Sequence, residues 1–144
     1  EVGTLLDDAL DALERQTKAR ILIIEDEAVI AMDLSDLMTS AGHHVCGVES
    51  TASGAVRTAE RERPDLVLAD IQLADGSSGI DAVKDILKKF DVPVIFITAF
   101  PERLLTGERP EPTFLITKPF QPETVKAAIS QALFFHPSRQ KAAA

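Results

Sequence analysis

The sequence predicts an α/β fold built on an open parallel sheet, and three observations carry that reading. Four short apolar runs, Ile21-Leu22-Ile23-Ile24, Leu66-Val67-Leu68-Ala69, Val94-Ile95-Phe96-Ile97 and Phe114-Leu115-Ile116-Thr117, are continuous rather than alternating. Strands buried on both faces of a parallel sheet look like this. Helical periodicities separate the runs, and repeated strand-then-helix units imply right-handed crossovers between parallel strands. Each run also stops at reactive polar residues: Glu25-Asp26-Glu27, Asp70, Thr98 and Lys118-Pro119. The carboxyl ends of parallel strands share one sheet edge, where ligands bind. Distant acids, a hydroxyl and an ammonium are thereby expected in one crevice.

Taken in order, Thr4 followed three residues later by Asp7 resembles a capping box. Leu6, Ala9, Leu10 and Leu13 then recur at helical spacing, predicting an amphipathic helix over residues 4–17 within a linker of residues 1–19. Such a stripe is expected to be covered, by the main domain or by a second copy. After the first strand, Ile30, Leu34, Leu37 and Met38 form one face of a helix that Gly42 can end in a left-handed conformation. His44 to Val48 reads as a second, weaker strand, with His43 and His44 as turn and strand-entry residues rather than metal ligands. Ala52, Ala55, Val56 and Ala59 mark a small-residue helix stopped near Pro64, with Glu60 to Arg63 as its solvated end.

A third helix follows Gly79, with Ile80, Val83 and Leu87 facing inward. Phe100 precedes Pro101 and is biased toward an extended conformation. Pro101 can open a helix, but Gly107 limits it to about one and a half turns before Pro110 and Pro112. The segment Thr98 to Arg109 is thus expected to be marginally stable, as a moving part requires. The last helix opens with Pro122, where a missing N–H does no harm, and presents Val125, Ile129 and Leu133. The main domain is placed at residues 20–135. Residues 136–144, which end in three alanines, read as a flexible tail.

A chain of 144 residues suits one domain with a sizeable core. Fifteen basic against 23 acidic residues give a net charge of −8, which argues against a direct grip on nucleic acid. No apolar run approaches the roughly 20 residues that span a bilayer, and no signal-peptide pattern opens the chain. Cys46, the single cysteine, cannot form an internal disulfide; it reads as a small core residue and favours a reducing, cytoplasmic setting. The opening residue is Glu1 rather than Met, which leaves a longer parent chain open.

The residues at the strand ends suit phosphoryl transfer. An Asp carboxylate can attack a phosphoryl group to give an aspartyl phosphate. That brings negative charge against negative charge, so a cation is needed, and Mg²⁺ suits a site with a few carboxylates, waters and phosphate oxygens. Asp26, Asp70 and Glu25 supply the acids, Lys118 a mobile positive charge and Thr98 a hydroxyl donor. Positioning and charge neutralisation are most of what the reaction asks of a protein. A competing reading makes Glu25 and Asp26 mere caps of the helix that starts near Glu27.

In this order, Ile-Ile-Glu25-Asp26-Glu27, Leu-Ala-Asp70-Ile-Gln, Phe-Ile-Thr98-Ala and Thr-Lys118-Pro119-Phe120 resemble the motif set of response-regulator receiver domains over residues 20–135. The resemblance implies a flavodoxin-like (CheY-like), doubly wound, five-stranded sheet in order 2-1-3-4-5, with the N-terminal helix as an addition. It implies Asp70 as phospho-acceptor, Glu25 and Asp26 as the acid pair, the backbone carbonyl of Gln72 as a further metal ligand, and Thr98 and Lys118 on the phosphoryl group. It also implies Mg²⁺ as cofactor, a cis Lys118–Pro119 bond, a histidine kinase or phosphotransfer protein as donor, and no catalysis beyond self-phosphorylation and dephosphorylation.

The stretch Phe96-Ile-Thr-Ala-Phe-Pro-Glu-Arg-Leu-Leu-Thr-Gly107, with the following Arg-Pro-Glu-Pro-Thr-Phe-Leu, is similar to PhyR-type regulators of the alphaproteobacterial general stress response. Those carry an N-terminal sigma-factor-like domain, which phosphorylation releases to bind the anti-sigma factor NepR. Leu115 departs from the receiver pattern, because many receivers place an aromatic switch residue there. That departure leaves a receiver-like interaction module with an unused site as the alternative. A phosphohydrolase of the haloacid-dehalogenase type is disfavoured, since Gln72 stands where a second Asp is expected.

Overall fold

The apolar runs become the central strands of the sheet. In the computed structural model, which describes residues 18–102 and 113–136, the strands are β1 (Arg20–Ile24), β2 (His44–Glu49), β3 (Leu66–Ala69), β4 (Val94–Thr98) and β5 (Thr113–Thr117). All pair in parallel, in the order β2-β1-β3-β4-β5. The expected helix at 4–17, the segment 103–112 and the tail from 137 lie outside the described residues.

Successive strand side chains point to opposite faces, and this divides the core in two. Leu22, Ile24, Val67, Ala69, Val94 and Phe96 pack on one face against Ala55, Ala59, Ile80, Val83 and Ile86. Ile21, Ile23, Leu66, Leu68, Ile95 and Ile97 pack on the other against Leu34, Met38, Val125, Ile129 and Leu133. The first set belongs to helices α2 (Ala52–Glu62) and α3 (Gly79–Lys89), the second to α1 (Ala28–Ser40) and α4 (Pro122–Phe135). Burial on both faces is why the strands carry no polar alternation.

The helix ends follow local chemistry. Gly42, at φ +92°, closes α1 in a Schellman motif: its N–H donates to the Thr39 carbonyl, and the His43 N–H donates to that of Met38, both at 3.0 Å. His43 Nδ1 then accepts from the Ala19 N–H at 3.0 Å, which ties this turn to the start of β1. Cys46 packs against the core as expected, but only half-buried, and the register slip between Ile21 and Leu22 leaves it as the extra residue of a bulge on edge strand β2.

Two helix faces differ from expectation. In α3 Leu87 packs against the core as expected, but half-buried at the edge of the stripe, and the fully buried residue of the last turn is Ile86, which the pattern did not single out. The end of α2 is not merely solvated. The Arg63 guanidinium lies 4.1 Å from the Phe90 ring centroid, Glu62 accepts from Arg20 at 2.8 Å, and Glu60 pairs with Lys89. These exposed contacts connect α2 to β1 and α3 at a worth of about 1 kcal/mol or less each.

Candidate functional site

One further ladder bond past each strand sets the backbone of the site. The Glu25 N–H donates to the Glu49 carbonyl at 2.9 Å, the Asp70 N–H to Ile24 at 2.8 Å and the Lys118 N–H to Thr98 at 2.9 Å. Glu25, Asp70, Thr98 and Lys118 are thereby held on one sheet edge. The register pairs Ala69 with Phe96, so Thr98 stands one row beyond the level of Asp70 on the neighbouring strand. The Lys118–Pro119 bond is cis.

The side chains converge. Glu25, Asp26 and Asp70 each offer a carboxylate oxygen, all within 4.8 Å of one another. Glu25 and Asp70 are buried, at 3% and 7% exposure, while Asp26 faces solvent. Lys118 Nζ lies 3.0 Å from Glu25 Oε2 and 3.0 Å from Asp70 Oδ2, so one ammonium serves two buried carboxylates. Asp70 Oδ1 accepts from the Ile71 N–H at 2.7 Å, and Glu25 Oε1 from the Glu27 N–H at 3.2 Å. Glu27 is the N-cap of α1 but makes no side-chain cap bond. Glu25 therefore spends one oxygen near the helix start and the other on Lys118.

Thr98 is fully buried, and its Oγ1 accepts from the Phe100 N–H at 3.0 Å, leaving the hydroxyl proton to donate. Gln72 forms an isolated bridge with Ser78. The bonds flanking that bridge run from the Gly79 N–H to the Ile71 carbonyl and from the Leu73 N–H to the Ser77 carbonyl, and neither uses the Gln72 carbonyl. Two backbone features escaped the sequence reading: the Ile71 amide on Asp70, and the approach of Gly79 to the same peptide. Side-chain chemistry does not betray a backbone donor; the Ser78-Gly79 pair at the helix start was the available signal.

Burial pushes the Glu25 carboxyl up; the hydrogen bond from Lys118 pulls it back only in part, and the charge of Asp70 raises it further. Burial would lower Lys118, but its hydrogen bonds to Glu25 and Asp70 outweigh that and hold it raised. Three carboxylates against one ammonium, two of them buried, form a hard-oxygen set with negative charge in excess. That set fits a small divalent cation such as Mg²⁺.

A pH dependence follows from Glu25. A carboxyl whose folded pKa lies above its ordinary 4.5 takes up a proton on folding. Its stabilising contribution is therefore present below pH 4.5 and lost as pH rises through the folded value. Lys118 is raised as well, so its contribution is lost in the same direction, but only above pH 10.5, outside this window. In divalent-free buffer, melting temperature is expected to fall as pH climbs from 4.5, and Glu25→Gln to flatten that slope. An unchanged slope in Glu25→Gln would remove Glu25 as its source.

Comparison with known proteins agrees with this geometry. The family model described as response regulator receiver domain matches residues 21–130. The chain is 61% identical over 142 residues to the phyllosphere-induced regulator PhyR of Methylorubrum extorquens, covering 98% of this chain and 53% of that protein. It thus spans about half the length of that relative. The solution structure of the Erythrobacter litoralis PhyR receiver domain superposes with a TM-score of 0.79 at 64% identity, covering 83% of this chain and 93% of that one. PhyR of Bartonella quintana, solved in complex with the anti-sigma factor NepR, superposes with a TM-score of 0.62 at 57% identity, covering 92% of this chain and 54% of that one. With the fold, the sheet order and the motif set in agreement, this chain belongs to the response-regulator receiver family.

Proposed function

We propose that this chain takes up a phosphoryl group on Asp70 and that the modification alters its contacts with other proteins. The observation that carries the reading is Lys118 Nζ held 3.0 Å from both Glu25 and Asp70, at the edge where Thr98 also ends its strand. An Asp70 carboxylate oxygen attacks phosphorus; the new O–P bond forms as the donor's bond to phosphorus breaks, and the electron pair departs with the donor. Lys118 exchanges one carboxylate contact for a phosphoryl oxygen, and the Thr98 hydroxyl donates to another. Glu25, Asp26 and Asp70, with the Gln72 carbonyl, would hold Mg²⁺, whose charge when bound offsets repulsion between the phosphoryl group and the acids.

The domain reading follows: residues 1–19 as a linker, 20–135 as the receiver and 136–144 as a tail. A histidine kinase or phosphotransfer protein is the expected donor. By its similarity to the Bartonella protein solved with NepR, the chain would act within a longer regulator, controlling a sigma-like domain and an anti-sigma factor in a stress response. It would catalyse only its own phosphorylation and dephosphorylation. A cytoplasmic setting suits these partners; no helix among the described residues is long and apolar enough to cross a membrane.

Incubation with acetyl phosphate and Mg²⁺ is expected to add the mass of one phosphoryl group, and chelation with EDTA to prevent the gain. Leu115 favours the competing module with an unused site, since it offers no aromatic rotamer; no mass gain under these conditions would establish that reading instead. Movement is expected where Thr98 must release the Phe100 N–H to turn toward Asp70. Hydrogen exchange with and without beryllofluoride should therefore change most across residues 98–109. A change confined to α1 would refute this.

A further inference from the structure

Helix α3 begins directly against the backbone of Asp70. A Cβ built on Gly79 would lie 1.6 Å from the Asp70 carbonyl oxygen, 2.8 Å from its carbonyl carbon and 3.3 Å from Ile71 Cα. All three neighbours are backbone atoms, so no side-chain rotation could relieve the overlap. Gly79 does not have the positive φ seen at Gly42 and Gly76. Glycine therefore serves here by its missing side chain and not by its conformational freedom. Its N–H donates to the Ile71 carbonyl at 2.7 Å, which locks the approach.

The crowded carbonyl is one end of the Asp70–Ile71 peptide. A trans peptide is planar, with its C=O and N–H pointing in opposite directions. Where Gly79 fixes the Asp70 carbonyl, it also fixes the direction of the Ile71 N–H. That N–H holds Asp70 Oδ1 at 2.7 Å, and Oδ2 is left to face Lys118 at 3.0 Å. We propose that Gly79 is a positioning residue for phosphoryl transfer: by admitting the start of α3 against the Asp70 carbonyl, it sets the peptide plane that decides how the two carboxylate oxygens are presented. This rests on Asp70 being the phospho-acceptor.

The test compares wild type, Gly79→Ala and Ser78→Ala. Ser78→Ala removes the α3 cap, where Ser78 Oγ accepts from the Ile80 N–H at 3.1 Å, but adds no atom near Asp70. At saturating acetyl phosphate and Mg²⁺, Gly79→Ala is expected to slow phosphorylation about 100-fold, the scale of a misplacement near 1 Å, with the half-saturating acetyl phosphate concentration unchanged. Ser78→Ala should lower stability and leave the rate constant close to wild type. The spectroscopic signature is a through-hydrogen-bond NMR coupling from the Ile71 amide nitrogen to the Asp70 carboxyl carbon, present in wild type and lost in Gly79→Ala. Equal rates for Gly79→Ala and wild type would overturn the inference, as would Ser78→Ala slowing the reaction as much as Gly79→Ala. Should Gly79→Ala fail to fold, the wild-type coupling decides: its presence supports the proposal and its absence overturns it. A wild type that takes up no phosphoryl group would defeat the functional reading instead, leaving the coupling measurement to judge the geometry.

Discussion

Asp70→Asn is expected to abolish phosphoryl uptake while leaving the chain folded. The side-chain amide has the shape of the carboxylate, and its oxygen can still accept the Ile71 N–H that Asp70 Oδ1 accepts at 2.7 Å. It lacks the anionic oxygen that must form the bond to phosphorus. The mass gain expected with acetyl phosphate and Mg²⁺ should vanish rather than slow. Since the Asp70 charge helps to push the Glu25 carboxyl up, Asp70→Asn should also let the Glu25 titration move back down, as NMR of its side-chain carboxyl carbon would record. A gain of one phosphoryl group that survives in Asp70→Asn would assign the chemistry to another residue.

Lys118→Ala is expected to damage both stability and reactivity. The ammonium lies 3.0 Å from each of two buried carboxylates and is itself 11% exposed. Removing one partner of a buried ion pair leaves uncompensated charge, at a cost of about 3 kcal/mol. Urea unfolding at neutral pH without divalent cations should show that loss. Acid should recover part of it, because Glu25 is already biased toward its protonated form. Mg²⁺ should recover part as well, by supplying the missing positive charge. Phosphorylation should slow by about 100-fold even at saturating Mg²⁺, as when one preorganised charge donor is removed from a developing anion. A variant as stable as wild type in divalent-free buffer would show that Lys118 does not neutralise the acids.

The strands were legible because burial on both faces removes polar alternation, so that Ile21 to Ile24, Leu66 to Ala69 and Val94 to Ile97 stand out as unbroken apolar runs. The site was legible for a related reason. A polar residue immediately after such a run lies on the carboxyl edge of the sheet, which is where Glu25, Asp26, Asp70, Thr98 and Lys118 are found. What the residues alone did not reveal depends on register and on backbone groups. The bulge at Cys46 arises from a slip against β1 that no local pattern records. Ile86 is buried in preference to Leu87 through the rotation of α3 on the sheet. The clasp of Glu60, Glu62 and Arg63 onto Lys89, Arg20 and Phe90 joins elements distant in sequence. The grip of the Ile71 amide on Asp70 has no side-chain signature at all.

Borohydride reduction of the phosphorylated chain tests the central claim most directly. An aspartyl phosphate is a mixed anhydride, which borohydride reduces to an alcohol, leaving homoserine at the modified position. Fragmentation of the reduced peptide that contains residues 66–79 should place homoserine at position 70, in material treated with acetyl phosphate and Mg²⁺ and not in material treated with EDTA. Homoserine at Asp26 or elsewhere, or a phosphoryl group that resists reduction because it sits on a serine or threonine, would contradict the assignment.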